Sequence, residues 1–164
     1  MSQDKRKIDQ ELIATSYQVI ASRRLGYDSL MWQVPAISFT AQAFLFNIAL
    51  SSSNSLARFI AAFLAFVIAC ISMQLMTKHR YHEEIDARLL EKLEKEQEID
   101  KLFGCPPHAP PKRRAEIVGK SNSWITRQSS YQLWLFGLML FALASVSIIV
   151  IDVIDIFTNQ KLLP

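Results

Sequence analysis

Glycine and cysteine are scarce in this chain: 164 residues include four glycines and two cysteines. The glycines stand singly at Gly26, Gly104, Gly119 and Gly137, so no glycine-rich phosphate loop of the Walker or dinucleotide type can be drawn. Cys70 and Cys105 supply no disulfide framework, and both are expected to be reduced. Zincin and nucleophile-elbow patterns are missing as well, and no pair of carboxylates lies inside an apolar run to drive proton-coupled transport. The expectation is a protein that is not an enzyme, with no cofactor and no metal. The most informative absence is of charge. Hydrophobic residues make up 51% of the chain, and they are blocked into runs from which ionisable groups are excluded.

Those runs are Trp32 to Leu50, Leu56 to Met76 and Leu133 to Ile151, with Arg58 at the edge of the second as their one charge. Crossing about 30 Å of hydrocarbon takes about 20 helical residues, and a central charge costs several kcal/mol. Irregular backbone in that medium would strand N–H and C=O groups, so the spans are expected to be helices. Basic residues then orient them. Residues 1–30 carry Lys5, Arg6, Lys7, Arg23 and Arg24, eleven Lys and Arg lie between Thr77 and Ser130, and Ser51 to Ser55 has none. By the positive-inside rule the N-terminus and the long loop are cytoplasmic and the C-terminus is extracytoplasmic. The first apolar run begins near Met31 without a small-residue cleavage pattern, so no cleavable signal peptide is expected.

The fold class expected is therefore an all-α membrane protein. It has three transmembrane helices, the second continuing as a long cytoplasmic rod, and an N-terminal amphipathic helix. Residues 1–29 hold the amphipathic helix, from about Asp4 to Arg24, with Ile8, Leu12, Ile13, Val19 and Ile20 on one side and Gly26 as its stop. It could lie on the inner leaflet or pack on the protein's own cytoplasmic part. Residues 30–76 form a hairpin of two spans, 30–50 and 56–76. Asp28 or Ser29 caps the first, and Pro35 falls in its opening turns, where a missing N–H does little harm.

Ala57 to Phe103 contains neither glycine nor proline. The second helix is thus expected to run on through 77–104 as one rod about 70 Å long, strengthened by the pairs Glu84 with Arg88 and Glu91 with Lys95. Gly104 and Pro106–Pro107 supply its stop. A proline-rich basic linker follows at 105–121, then the third span at 122–158, begun near Ser121 or Ser123 with Trp124, Tyr131 and Trp134 at the interface. Residues 159–164 form the extracytoplasmic tail.

Several side-chain patterns stand out. Gln33, Thr40 and Asn47 recur every seven residues and form one polar stripe, with Ser38 and Gln42 on roughly the opposite side. The stripe either lines a pore or makes interhelical hydrogen bonds. Ala57, Ala61, Ala65 and Ala69 are a small-residue ladder that lets two helix backbones approach. Arg58 shares the outer interface with Asp152 and Asp155, and an Arg58–Asp152 contact is expected, within or between subunits. Ile85, Leu89 and Leu93 form an apolar stripe on the rod that wants a partner or oligomer surface. Lys112, Arg113 and Arg114 are a basic cluster for lipid or a partner, or enforce topology alone. His79, His82, Glu83 and Asp86 share a helix face at metal-ligand spacing, but one helix offers too few convergent ligands. Cys105 and His108 lack the second pair a zinc ribbon needs.

The layout of Trp32 to Phe103, a membrane hairpin running into a charged cytoplasmic helix, resembles the small transmembrane effectors of bacterial anti-phage and CRISPR-associated systems. These include the SLATT-type proteins and the ring-forming membrane accessory proteins. The likeness covers under half of the chain, and the third span departs from the two-helix plan. It implies partner-triggered depolarisation of the membrane during infection. Three thin helices enclose no conduit alone, so the expectation is a homo-oligomer in the bacterial inner membrane that forms a pore or perturbs the bilayer. Its partners are membrane lipids, copies of itself and a possible cytoplasmic protein, with no specific nucleic acid. The alternative is a non-conducting scaffold that recruits a cytoplasmic partner through residues 78–103.

Overall fold

Three helices account for nearly all of the described residues: α1 (Gln3–Ser51), α2 (Ser55–Glu96) and α3 (Ser130–Gln160). The structure, a computed structural model, describes residues 3–99, 101, 104, 106–109 and 129–160. All three helices are long and apolar enough to cross a membrane, and the described residues contain no strand. The linker from Cys105 through Lys112, Arg113 and Arg114 to Ser121 falls mostly outside the described residues, as do Ser123 and Trp124.

Three boundaries differ from expectation, one of them the start of the third span, where the helix begins at Ser130 rather than near Ser121 or Ser123. The amphipathic segment and the first span are not separate, because α1 runs unbroken through Gly26 and Pro35. Gly26 is a weak stop, as an interior glycine costs a helix only about 1 kcal/mol relative to alanine. Pro35 sits mid-helix rather than in an opening turn, so the Met31 carbonyl loses its N–H donor. The Pro35 ring is fully buried.

The third correction concerns the rod, which stops at Glu96 rather than at Phe103. Glu98 takes a left-handed φ of 56°. Its N–H bonds the Lys95 carbonyl at 3.2 Å, and the Ile99 N–H bonds the Glu94 carbonyl at 2.9 Å. These are the two bonds of a Schellman cap. The C′ position, usually glycine, is occupied here by a glutamate, which hid the stop. Gly104 is also left-handed, with φ 72°, but lies beyond the helix end. At the other end of α2, Asn54 Oδ1 accepts from the N–H groups of Leu56 (2.9 Å) and Ala57 (3.3 Å). This N-cap closes the tight turn between α1 and α2.

The chain divides into two compact units, Met1–Leu30 with Lys78–Arg127, and Met31–Thr77 with Gln128–Pro164. In the second unit the three helices turn small faces to one another. From α2 come Ala61, Ala65, Ala69, Ser72 and Met76, and from α1 Met31, Pro35, Ser38, Gln42 and Ala49, all buried. Leu138, Ala142, Ser145 and Asp152 are the buried face of α3. Steps of mostly three and four residues are the spacing of helices packed at a shallow angle. Ala57 is half-buried, so the alanine ladder tightens away from the turn.

Aromatic rings join α1 to α3. Trp32, Phe39 and Phe46 recur every seventh residue on α1. Phe39 lies 5.2 Å from Trp134 and 5.3 Å from Phe141, Phe46 is 5.4 Å from Phe141, and Trp32 meets Trp134 edge-on at 6.2 Å. Gly137 makes room for this stack, since a Cβ there would lie 2.8 Å from the tip of the Phe39 ring.

The close approach at the alanine ladder can be tested by substitution. Ala69 is fully buried, so Ala69→Leu forces the helices apart and should cost about 1–3 kcal/mol. Leu64→Ala, at an exposed site, should cost far less. Thermal unfolding in detergent would measure both, and equal stability of the two variants would contradict the packing described.

Candidate functional site

Inside the second unit, polar groups have been carried into the packed faces. Gln42 is fully buried, and its Nε2 donates to the Ala65 carbonyl at 2.8 Å. Hydrogen bonds between helices in a membrane contribute about 1 kcal/mol each. Ser38, one turn away, is buried too. Ser38 Oγ and Gln42 Oε1 have no hydrogen-bond partner among the described residues. Thus Ser38 and Gln42, not the stripe Gln33, Thr40 and Asn47, occupy the hairpin interior.

That stripe lies on the outer surface. Gln33, Thr40 and Asn47 are all exposed. Thr40 Oγ1 donates back to the Ala36 carbonyl at 3.0 Å, and Gln33 also has a partner. The helix therefore turns polar groups away from its own bundle.

Arg58 and Asp152 are brought together by the α2 and α3 ends. Arg58 Nη2 lies 2.7 Å from Asp152 Oδ1, and the Asp152 side chain is only 2% exposed. The pair is one-pronged: Arg58 Nε and Asp152 Oδ2 are buried with no partner among the described residues. Asp155, a turn further on, is exposed and stands outside this pair.

The first unit is held by charge. The α2 face turned inward here is not Ile85, Leu89 and Leu93 but Glu83, Asp86, Leu90 and Glu94, again in steps of three and four. Ile85 and Leu89 are exposed, and Leu93 is half-buried, lining a groove of about 550 Å³ with Ile13, Tyr17 and Ile99. Arginines from α1 make the acidic face possible. Arg23 grips Asp86 with a fork, Nε donating to Oδ2 at 2.8 Å and Nη2 to Oδ1. Its guanidinium is held protonated above its usual range, first by the hydrogen bond to Asp86 and then by the carboxylate's charge. Arg24 Nε donates to Glu83 Oε1 at 2.9 Å, and Arg80 Nη1 reaches Glu83 Oε2 at 3.0 Å. Arg80 Nε also bonds Glu84 at 2.9 Å. Planar guanidinium groups suit such pairs because two N–H bonds match two carboxylate oxygens.

Glu94 is the deepest of these acids, fully buried. Tyr17 donates its hydroxyl to Oε1 at 2.9 Å, the His108 backbone N–H donates to Oε2 at 3.0 Å, and His108 Nδ1 meets Oε1. The Tyr17 oxygen also stands 3.3 Å from His108 Nδ1. Burial, then the bond to Glu94 and that carboxylate's charge, push the Tyr17 phenol from 10.0 up to about 12. His108 thus belongs to a helix-to-turn clasp rather than to a pair with Cys105, which lies outside the described residues. Tyr27 packs beside His79 and His82, its ring stacking on His82 at 5.2 Å and lying 5.9 Å from His79, while His82 stays exposed. With Glu83 and Asp86 engaged by arginines, the four do not converge as ligands, and no group of metal ligands occurs among the described residues.

No family model, no curated protein and no solved structure matches the chain. What fold and composition define is a class: an all-helical chain with three potential membrane spans, the mark of a multi-pass membrane protein.

The charged contacts lead to two expected outcomes. Arg58→Met strands the buried Asp152 carboxylate and should cost about 3–5 kcal/mol. Adding Asp152→Leu should restore part of that loss, and thermal unfolding of singles and double would test it. The Tyr17 phenol is raised in the folded state, so the folded protein holds a proton there that the unfolded chain releases near pH 10. Its stabilising contribution is therefore complete below pH 10 and lost as pH rises toward 12. The phenolate absorbance missing from Tyr17→Phe should have its midpoint near 12 in the folded protein. A midpoint at 10, the ordinary value, would mean that the hydroxyl is solvated.

Proposed function

We propose that the chain is a homo-oligomeric multi-pass protein of the bacterial inner membrane, acting as a pore-forming or membrane-perturbing effector in stress or phage defence, without enzymatic activity. One observation carries this reading: Gln33, Thr40 and Asn47 are exposed on the outside of a helix apolar enough to span a membrane. Polar side chains at such positions usually face other helices or water rather than lipid. They stay exposed among the described residues, and in this reading other copies of the chain cover them. The basic residues of 1–30 and 77–130 support a cytoplasmic first unit. The effector role is supported by the resemblance of the Trp32 to Phe103 layout.

A second reading has its own observation. Tyr81, Ile85 and Leu89 stand at successive turns of α2 and are 63%, 37% and 43% exposed. A cytoplasmic protein docking on that strip would make the chain a non-conducting scaffold.

Mass measurement in nanodiscs of bacterial lipid, paired with ion flux from loaded liposomes, tests these readings. The proposal expects an oligomer and flux that Thr40→Leu diminishes. A monomer overturns it, and an oligomer that never conducts while Leu89→Glu abolishes capture of a cytoplasmic partner selects the scaffold.

A further inference from the structure

The exposed polar stripe is the marked part of a longer pattern. Between its members on the same face lie Ala36 and Ala43, giving Gln33, Ala36, Thr40, Ala43 and Asn47 in steps of three and four residues. All five are exposed. A period of seven, as from Gln33 to Thr40 to Asn47, is that of helices wound about each other, because a straight helix repeating every 3.6 residues drifts about 20° per heptad.

The opposite face of α1 shows what such spacing does in this protein. Met31, Pro35, Ser38, Gln42 and Ala49 have nearly the same steps, are buried, and include the Gln42 bond to Ala65. The outer face carries similar residues, alanine alternating with an amide or a hydroxyl, yet it is exposed along its length. It is also unlike the neighbouring surface of α1. Ile37 and Phe44 are 70% and 67% exposed, and Ile48 is exposed beside them, which is the composition expected toward lipid. The helix thus shows two different outer strips, one suited to hydrocarbon and one not.

We propose that α1 packs in parallel against α1 of further copies of this chain, with Gln33, Thr40 and Asn47 converging on the symmetry axis. This rests on the homo-oligomer reading and names the surface that makes the oligomer. The occupant is the chain itself because the strip is self-complementary. A carboxamide carries both donors and an acceptor, so Gln33 or Asn47 meeting its own copy at the same depth can give and take a bond. The Thr40 hydroxyl, whose proton is directed to the Ala36 carbonyl, keeps lone pairs to accept one. Copies inserted in one membrane share an orientation, which places Gln33 level with Gln33 and Asn47 with Asn47. Ala36 and Ala43 alternate with these polar layers and let the backbones approach between them. A single amide in a helix seam fixes register and the number of strands, and two amides with a hydroxyl midway between them fix it more firmly.

Cysteine cross-linking in native membranes tests the seam. In a full-length Cys70→Ala, Cys105→Ser background, single substitutions Ala36→Cys, Thr40→Cys, Ala43→Cys and Asn47→Cys are compared with Ile37→Cys, Phe44→Cys and Ile48→Cys under mild oxidation. The mass of the cysteine-free parent is measured in nanodiscs in parallel. The expected result is disulfide-linked dimer at the four seam positions and little at the three apolar ones. All seven sites are exposed, and each variant is first matched to the parent by size-exclusion profile. Two failures are distinguishable. An oligomeric parent whose cross-links favour Ile37 and Phe44, or occur at none of the seven sites, overturns the seam while leaving the oligomer intact. A monomeric parent overturns the seam together with the function proposed above.

Discussion

A carboxylate on a packed helix face must be met by a cation or a proton donor, or the helix cannot pack there at all. That constraint decides how α1 and α2 meet in the first unit. Glu83, Asp86 and Glu94 are buried on α2, and the residues that satisfy them, Arg24, Arg23 and Tyr17, come from α1. The spacing on the two helices has to match for every contact at once, so the charges set register in a way that an all-apolar seam would not. The same rule acts once more in the second unit, where Arg58 meets Asp152.

The second unit is governed by different terms. Hydrocarbon solvates leucine as well as a neighbouring helix does, so apolar burial drives association weakly and close backbone approach matters more. Ala61, Ala65 and Ala69 provide the approach, Gln42 adds a bond across it, and the Trp32, Phe39, Phe46 ladder with Gly137 seats α3. Small residues and aromatic rings thus divide the work between the two sides of α1, while its third strip, through Gln33, Thr40 and Asn47, is exposed.

Hydrophobic run lengths made the three helices legible, because the demand of a bilayer for about 20 apolar helical residues leaves a mark in any sequence. The alanine ladder and the pairing of Arg58 with Asp152 could be read from spacing and topology. The heptad of Trp32, Phe39 and Phe46 was equally visible and would have announced the α3 contact. Other features were hidden for identifiable reasons. A glycine and a proline are read as breaks, yet α1 passes both. A helix stop is sought at glycine, yet the cap that ends α2 is closed by Glu98. Acidic residues are read as solvent-facing, yet three of them line the buried face of α2, while Ile85 and Leu89 on another face are exposed.

The sequence by itself determined that the chain is helical, where its apolar runs lie and how many could cross a membrane. Those properties depend on composition and period within one segment. Tertiary structure alone decided which face of each helix is inside, because burial of Glu83, Asp86 and Glu94 depends on arginines and a tyrosine 59 to 77 positions away in the chain. It also decided that Ser38 and Gln42 turn inward and Gln33, Thr40 and Asn47 outward. Both strips are polar, and only the position of the neighbouring helices tells them apart.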